Sequence, residues 1–146
     1  MDPVTGIQLA SSAADLAILA FDVFSNLRKY YRNVKNGPKR SAELRAEIDS
    51  LLDLVGVLEE TFEANPGRVF QSALQVSLHE LRDLLTTMQQ RTSPEQTEGF
   101  RRLRWPFKEH ENEEFISKIA RHRDKLSLAL HIEQRSGFEP LTHSFF

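Results

Sequence analysis

The chain opens on an apolar stretch too wide for an ordinary surface helix, and any fold it adopts has to hide much of that surface. Leu9, Ala13, Leu16, Ala20, Val23, Leu27, Tyr30 and Val34 recur at alternating spacings of four and three. That is the period of a helix packed along one seam. Ala10, Ala14, Ala17, Phe21, Phe24 and Tyr31 widen the seam to roughly 200° of arc, against the ~100° usual for a surface helix. The polar remainder is a narrow stripe of Gln8, Ser12, Asp15, Asp22, Asn26, Lys29 and Asn33, with Leu19 inside it. As helix, Ile7 to Phe24 is about 27 Å long, close to the roughly 30 Å hydrocarbon thickness of a bilayer.

An ordinary transmembrane anchor does not fit. Asp15 and Asp22 would each cost about 2.5–3.5 kcal/mol at a helix centre, and Gln8, Ser11 and Ser12 add further polarity. The segment lacks the cationic start and the cleavage site of a signal peptide. Two readings remain. The segment is the central helix of a soluble bundle, contacted on two sides. Otherwise it is buried at rest and inserts on assembly, with Gln8, Ser12, Asp15 and Asp22 lining a shared wet lumen. The seven-residue spacing of the two aspartates puts them on one line, as a lumen would require.

Everything downstream reads as helix. At 146 residues the chain suggests one domain, large enough for a core of its own. Asn36-Gly37-Pro38 reads as a stop for the first helix, a glycine just past the end followed by a proline that cannot continue the turn. Leu44, Ile48, Leu51, Val55, Leu58 and Phe62 repeat the heptad in a second helix. Asn65-Pro66 reads as the start of a third, an N-cap with proline at the first helical position. Phe70, Leu74, Leu78, Leu81, Leu85 and Met88 mark its core face. Ser93-Pro94-Glu95-Gln96 predicts a short extra helix through about Leu103. A Trp105-Pro106-Phe107 corner then leads into a last helix from about Lys108 to Gln134, closed by Gly137 and Pro140. No stretch shows strand alternation. The expectation is an all-α, antiparallel four-helix bundle over 1–135, with 136–146 a tail or linker. Gly56, mid-helix, suggests close approach of a neighbouring helix.

Chemistry is sparse. There is no phosphate-binding glycine loop, zinc-helix motif, nucleophile elbow or paired-cysteine site, so no catalytic residue, cofactor or metal is expected. His110 and Glu114 stand four apart, but the acidic run Glu109 to Glu114 is better explained by the helix dipole, which favours negative charge in a first turn. His122 lies beside the apolar line Phe115, Ile119, Leu126, Ala129 and is expected at the core edge with a hydrogen bond. The absence of cysteine excludes disulfides and thiol chemistry and fits a reducing compartment.

Charge says more. Arg28, Lys29, Arg32, Lys35, Lys39 and Arg40 form a run without an acid. Part of it serves the helix C-terminus. The surplus suits anionic headgroups, at about 1 kcal/mol per cation near a membrane surface. Arg101, Arg102, Arg104 and Lys108 flank Trp105 and Phe107, a corner suited to a membrane interface, a protein contact or simple loop packing. Nucleic acid is not expected. The net charge is −2, the next helix is acidic, and no recognition motif is present.

Several of these segments together resemble a known family. They are Met1-Asp2-Pro3-Val4 leading into the apolar helix, Tyr30-Tyr31-Arg32-Asn33-Val34-Lys35, Arg101-Arg102-Leu103-Arg104-Trp105-Pro106-Phe107-Lys108-Glu109, and Ile119 through Leu130. The chain resembles the HeLo-like N-terminal domain of fungal STAND (NOD-like) receptors and ankyrin-repeat proteins over about residues 1 to 133. The Trp-Pro-Phe corner and the later Leu-Ser-Leu-Ala-Leu run are its most specific part. The resemblance implies a helical cell-death effector or signalling domain, cytoplasmic at rest and acting at the plasma membrane when an upstream receptor or signal brings copies together. It implies homo-oligomerisation and exposure of an inserting segment from Val4 to Phe24. On this reading Leu9, Leu16, Leu19, Phe21 and Phe24 meet lipid. Leu9, Leu16, Phe21 and Phe24 are packed under the other helices beforehand. The competing expectation is a non-lytic helical module that recruits a like bundle through an exposed helix face.

Overall fold

The computed structural model describes residues 4–33, 41–92 and 107–135, with side chains described through Lys29 in the first helix and Glu133 in the last. In chain order the elements are β1 (Val4–Thr5), α1 (Gly6–Asn33), α2 (Ser41–Ala64), β2 (Val69–Phe70), α3 (Ser72–Thr92) and α4 (Glu109–Arg135). The fold is an all-α four-helix bundle. The glycine-proline stop, the short extra helix, Trp105 and the tail 136–146 lie outside the described residues.

Each helix forms where its apolar residues repeat, and the repeats become the core. Leu9, Ala13, Leu16, Ala20, Val23 and Leu27 of α1 are buried. They meet Leu44, Ile48, Leu51, Val55, Leu58 and Phe62 of α2, and Leu74, Leu78, Leu81, Leu85 and Met88 of α3, in one cluster. Phe115, Ile116, Ile119, Leu126 and Leu130 of α4 close it. Fully burying one such large side chain contributes about 1.5–3 kcal/mol, so the seam of α1 alone is a major part of what holds the bundle together.

Chain direction alternates from each helix to the next, but the packing order is not the sequence order. α1 packs on α2 and α3, and α4 packs on the same two, leaving α2 across the diagonal from α3. α1 and α3 therefore lie side by side and parallel. At one end β1 pairs antiparallel with β2, Val4 opposite Phe70 and Thr5 opposite Val69. Toward the other end the Asn26 side-chain amide donates to the Thr92 hydroxyl at 3.3 Å, and the Gln89 amide donates to Asp22 at 3.2 Å. Arg123 to Glu47 at 3.3 Å and Lys125 to Glu80 at 3.9 Å tie α4 to α2 and to α3.

Three local expectations change. Asn65 does not start α3. Its side-chain amide donates to the Thr61 carbonyl at 2.8 Å, so it closes the end of α2 instead. Residues 65–68 form a turn, Phe70 is committed to the strand pair, and α3 begins at Ser72. The strand pair escapes any alternation test because each strand is two residues long. Gly56 faces open space, with nothing within 4 Å of where a Cβ would stand. No neighbouring helix approaches it.

Candidate functional site

The site that carries functional information is α1 itself. Among the residues expected to meet lipid, Leu9 and Leu16 are fully buried, and Leu19 and Phe24 are partly buried against the core. Phe21, expected from its sequence to pack under the other helices, is instead 60% exposed. The reason lies in the packing: α2 and α3 cover α1 along the Leu9–Leu27 seam, and Phe21 stands well round the helix from it. Ile7 and Ile18, each 65% exposed, share that outer face. Ile18 belongs to none of the sets read from sequence. It stands nine residues after Leu9, half a turn around the helix at about 100° per residue. That wheel position, opposite the seam, is the signal that marks it.

The polar stripe does not form a uniform lining in the single chain. Gln8, Asp15 and Asp22 are exposed and Ser12 is half-buried. Gln8 accepts the Thr5 main-chain N–H at 3.0 Å, satisfying a donor at the helix start. Asp22 leans on Gln89 of α3, whereas Asp15 faces solvent.

Arg28 and Lys29 are exposed, and with Phe21, Phe24 and Ser25 they line an open concavity of about 300 Å³. The Arg45 guanidinium of α2 sits 5.8 Å from the Phe24 ring centre on the inner side. Two cations thus stand beside two aromatic rings on one stretch of α1. The side chains of Arg32, Lys35, Lys39 and Arg40 lie outside the described residues, as do Arg101, Arg102 and Arg104.

The start of α1 is held by a clasp that sequence reasoning missed. The Gly6 N–H donates to the Arg68 carbonyl at 2.9 Å, and the Ile7 N–H donates to the Pro66 carbonyl at 3.2 Å. These bonds satisfy donors that a helix start otherwise leaves unpaired. Gly6 is required by space: a Cβ there would overlap the Asn65 carbonyl and stand 2.8 Å from the Phe62 carbonyl oxygen. The turn is fixed from its far side by Glu133, whose side chain is only 4% exposed. One carboxylate oxygen accepts the Gln71 N–H at 2.8 Å, and the other lies 3.5 Å from the Arg68 guanidinium. Phe70 completes the joint, edge-on to Phe62 at 5.1 Å.

The opposite end has a second joint. Glu111 pairs with Arg91 of α3 and also accepts the Lys108 N–H at 3.0 Å, reaching back from the third helical position to the residue that caps α4. The Arg91 hydrogen bond first, and the Lys108 amide next, hold the Glu111 carboxyl down at about 2. Phe107 is buried against Phe115 at 4.7 Å, with Arg91 5.0 Å from its ring centre. Glu114 is engaged by Lys118 at 2.8 Å, the largest cause of its lowered pKa. No group of three metal-ligating side chains occurs among the described residues. His122 sits at the core edge as expected. Its buried Nδ1, however, has no hydrogen-bond partner among the described residues. Burial, and after it the nearby Lys125, push its pKa below the usual value.

No family model, curated protein or solved structure matches the chain. Gly6–Lys29 is long and apolar enough to cross a membrane, yet only 28% of its most apolar window is buried in the bundle.

Proposed function

We propose that the chain is a HeLo-like cell-death effector or signalling domain, cytoplasmic at rest, that acts at the plasma membrane when copies assemble and expose α1. One observation carries the reading: α1 has the length and apolarity to span a bilayer, and it presents Ile7, Ile18 and Phe21 on its open outer face. Ile7, Ile18 and Phe21 share one exposed apolar face of the helix, the kind of surface that marks a contact with lipid or protein when it is contiguous. On a lipid surface those side chains are the first to be buried, and Arg28 and Lys29 beside Phe21 meet anionic headgroups.

Full insertion has to expose the seam Leu9–Leu27. That surface is reburied against lipid and neighbouring copies, which offsets the loss. Oligomerisation supplies the inward place for Asp15 and Asp22, where a lone helix in hydrocarbon would leave both charges stranded. No enzymatic role is proposed.

The test uses variants that leave the core intact. Ile18→Gln with Phe21→Gln replaces two exposed apolar side chains by polar ones and is expected to fold normally. Leakage of vesicles rich in anionic lipid should fall about tenfold or more, and toxicity on expression in cells should fall with it. Undiminished leakage would remove α1 from the mechanism. The second reading, a non-lytic homotypic module, is favoured by exposed Val76 on α3 and Leu128 on α4. It requires lipid-independent dimers and no leakage from the unmodified chain.

A further inference from the structure

We infer that the last turn of α4 controls the release of α1. Three elements meet at the 65–71 segment, and its bonds run in one line. The Glu133 carboxylate holds the Gln71 amide at 2.8 Å and stands 3.5 Å from the Arg68 guanidinium. The Arg68 carbonyl in turn holds the Gly6 amide at 2.9 Å, and the Pro66 carbonyl holds the Ile7 amide at 3.2 Å. Residues 69 and 70 pair with residues 5 and 4 of β1. The segment is thus gripped by α4 on one side and grips the start of α1 on the other.

The arrangement works as a clasp because its two grips differ in kind. The α1 side consists of main-chain bonds from a two-residue ladder and the helix start, and each is weak alone. The α4 side presents the Glu133 carboxylate, nearly closed off from solvent, and its charge-assisted bonds are the stronger ones. Glu133 is two residues from the end of α4, and terminal helical turns are where local opening is easiest. Unwinding that one turn withdraws Glu133. The Gln71 amide and the Arg68 guanidinium then lose the Glu133 carboxylate, and the strand pair and the Gly6 and Ile7 bonds lose the support that positions them. A perturbation at the C-terminal end of α4 therefore reaches the N-terminal end of α1 without disturbing the seams between. The consequence for lipid rests on the membrane reading above, whereas the coupling between the two helix ends does not.

Residue-resolved amide hydrogen exchange on the full chain tests the coupling. In Glu133→Ala the Gly6 and Ile7 amides should exchange about tenfold faster or more, in keeping with loss of charged hydrogen bonds. Amides near Ala13 and Ala20 should keep their protection. Glu133→Gln, which preserves the volume and one acceptor, should show a smaller rise at the same two amides. Glu80→Gln, which breaks only the surface pair with Lys125, should leave them unchanged. Oxidised Thr5→Cys with Val69→Cys, joining the two strands covalently, should restore protection in the Glu133→Ala background. Unchanged exchange at Gly6 and Ile7 in both Glu133 variants would overturn the inference. So would a uniform rise through all four helices, which would mean loss of global stability instead. Vesicle leakage separates the two readings. Faster exchange at Gly6 and Ile7 without greater leakage supports the clasp and removes the membrane reading alone.

Discussion

The Gly6 amide donates to the Arg68 carbonyl at 2.9 Å, and the main chain of Asn65 and Phe62 fills the volume that any side chain at position 6 would occupy. Gly6→Ala therefore forces the helix start and the 65–68 turn apart. A loss of about 1–3 kcal/mol, the usual range for overpacking, is expected in urea unfolding. Gly56→Ala is the opposite case. Its Cβ meets nothing, so the helix gains about 0.5–1 kcal/mol. Equal effects from the two alanines would contradict the packing described at both sites.

Leu16 and Ile18 are two residues apart and should behave oppositely. Leu16 is 1% exposed in the centre of the core, and Leu16→Ala should cost about 3–5 kcal/mol through lost burial and a cavity. Ile18→Ala at a 65% exposed position should stay within about 0.5 kcal/mol of the parent. Chemical denaturation curves at one pH decide it.

Asp15→Leu combined with Asp22→Leu should change stability little. Among the described residues the bond lost is the exposed Asp22 to Gln89 contact at 3.2 Å, worth about 0.5–1.5 kcal/mol. Dye release from anionic vesicles should nevertheless be impaired, since the inward-facing charges of the assembled state are gone. Full release by the double variant removes the lumen idea.

Two groups give the stability a pH dependence in opposite-looking but like-signed windows. Glu111 is depressed to about 2 from an ordinary 4.5. Its contribution is therefore complete above pH 4.5 and is lost as pH falls toward 2. The pair with Arg91 is partly exposed, so Arg91→Gln should cost only about 1 kcal/mol at pH 7 and flatten that acid limb. His122 is depressed below 6.5 by burial. The folded state then holds fewer protons than the unfolded one, and stability declines as pH falls below 6.5. His122→Leu should remove the decline. Parallel urea midpoints for parent and variant between pH 7.5 and 5.5 would show that His122 is not its source.

Much of this architecture was legible before any coordinates. The seam of α1 runs through the six residues from Leu9 to Leu27 that the spacing selects, and all six are buried. The seam of α2 holds equally, from Leu44 to Phe62. Asn65 misled because a residue between two helices can cap either, and the sequence does not say which amide or carbonyl is nearer. Phe21 misled because a wide apolar arc was read as wide contact, whereas the two helices that cover α1 leave its outer face open.

The sequence by itself determined the four helices and their buried seams, because the period of apolar residues is a local property that each segment carries alone. It also determined that Gly6–Lys29 is long and apolar enough to cross a membrane. The tertiary structure decided which faces found partners: Ile18 outward, α3 beside α1 and not beside α2, and Glu133 against Gln71 and Arg68. These depend on residues more than sixty positions apart meeting in space, and no local repeat encodes such a meeting.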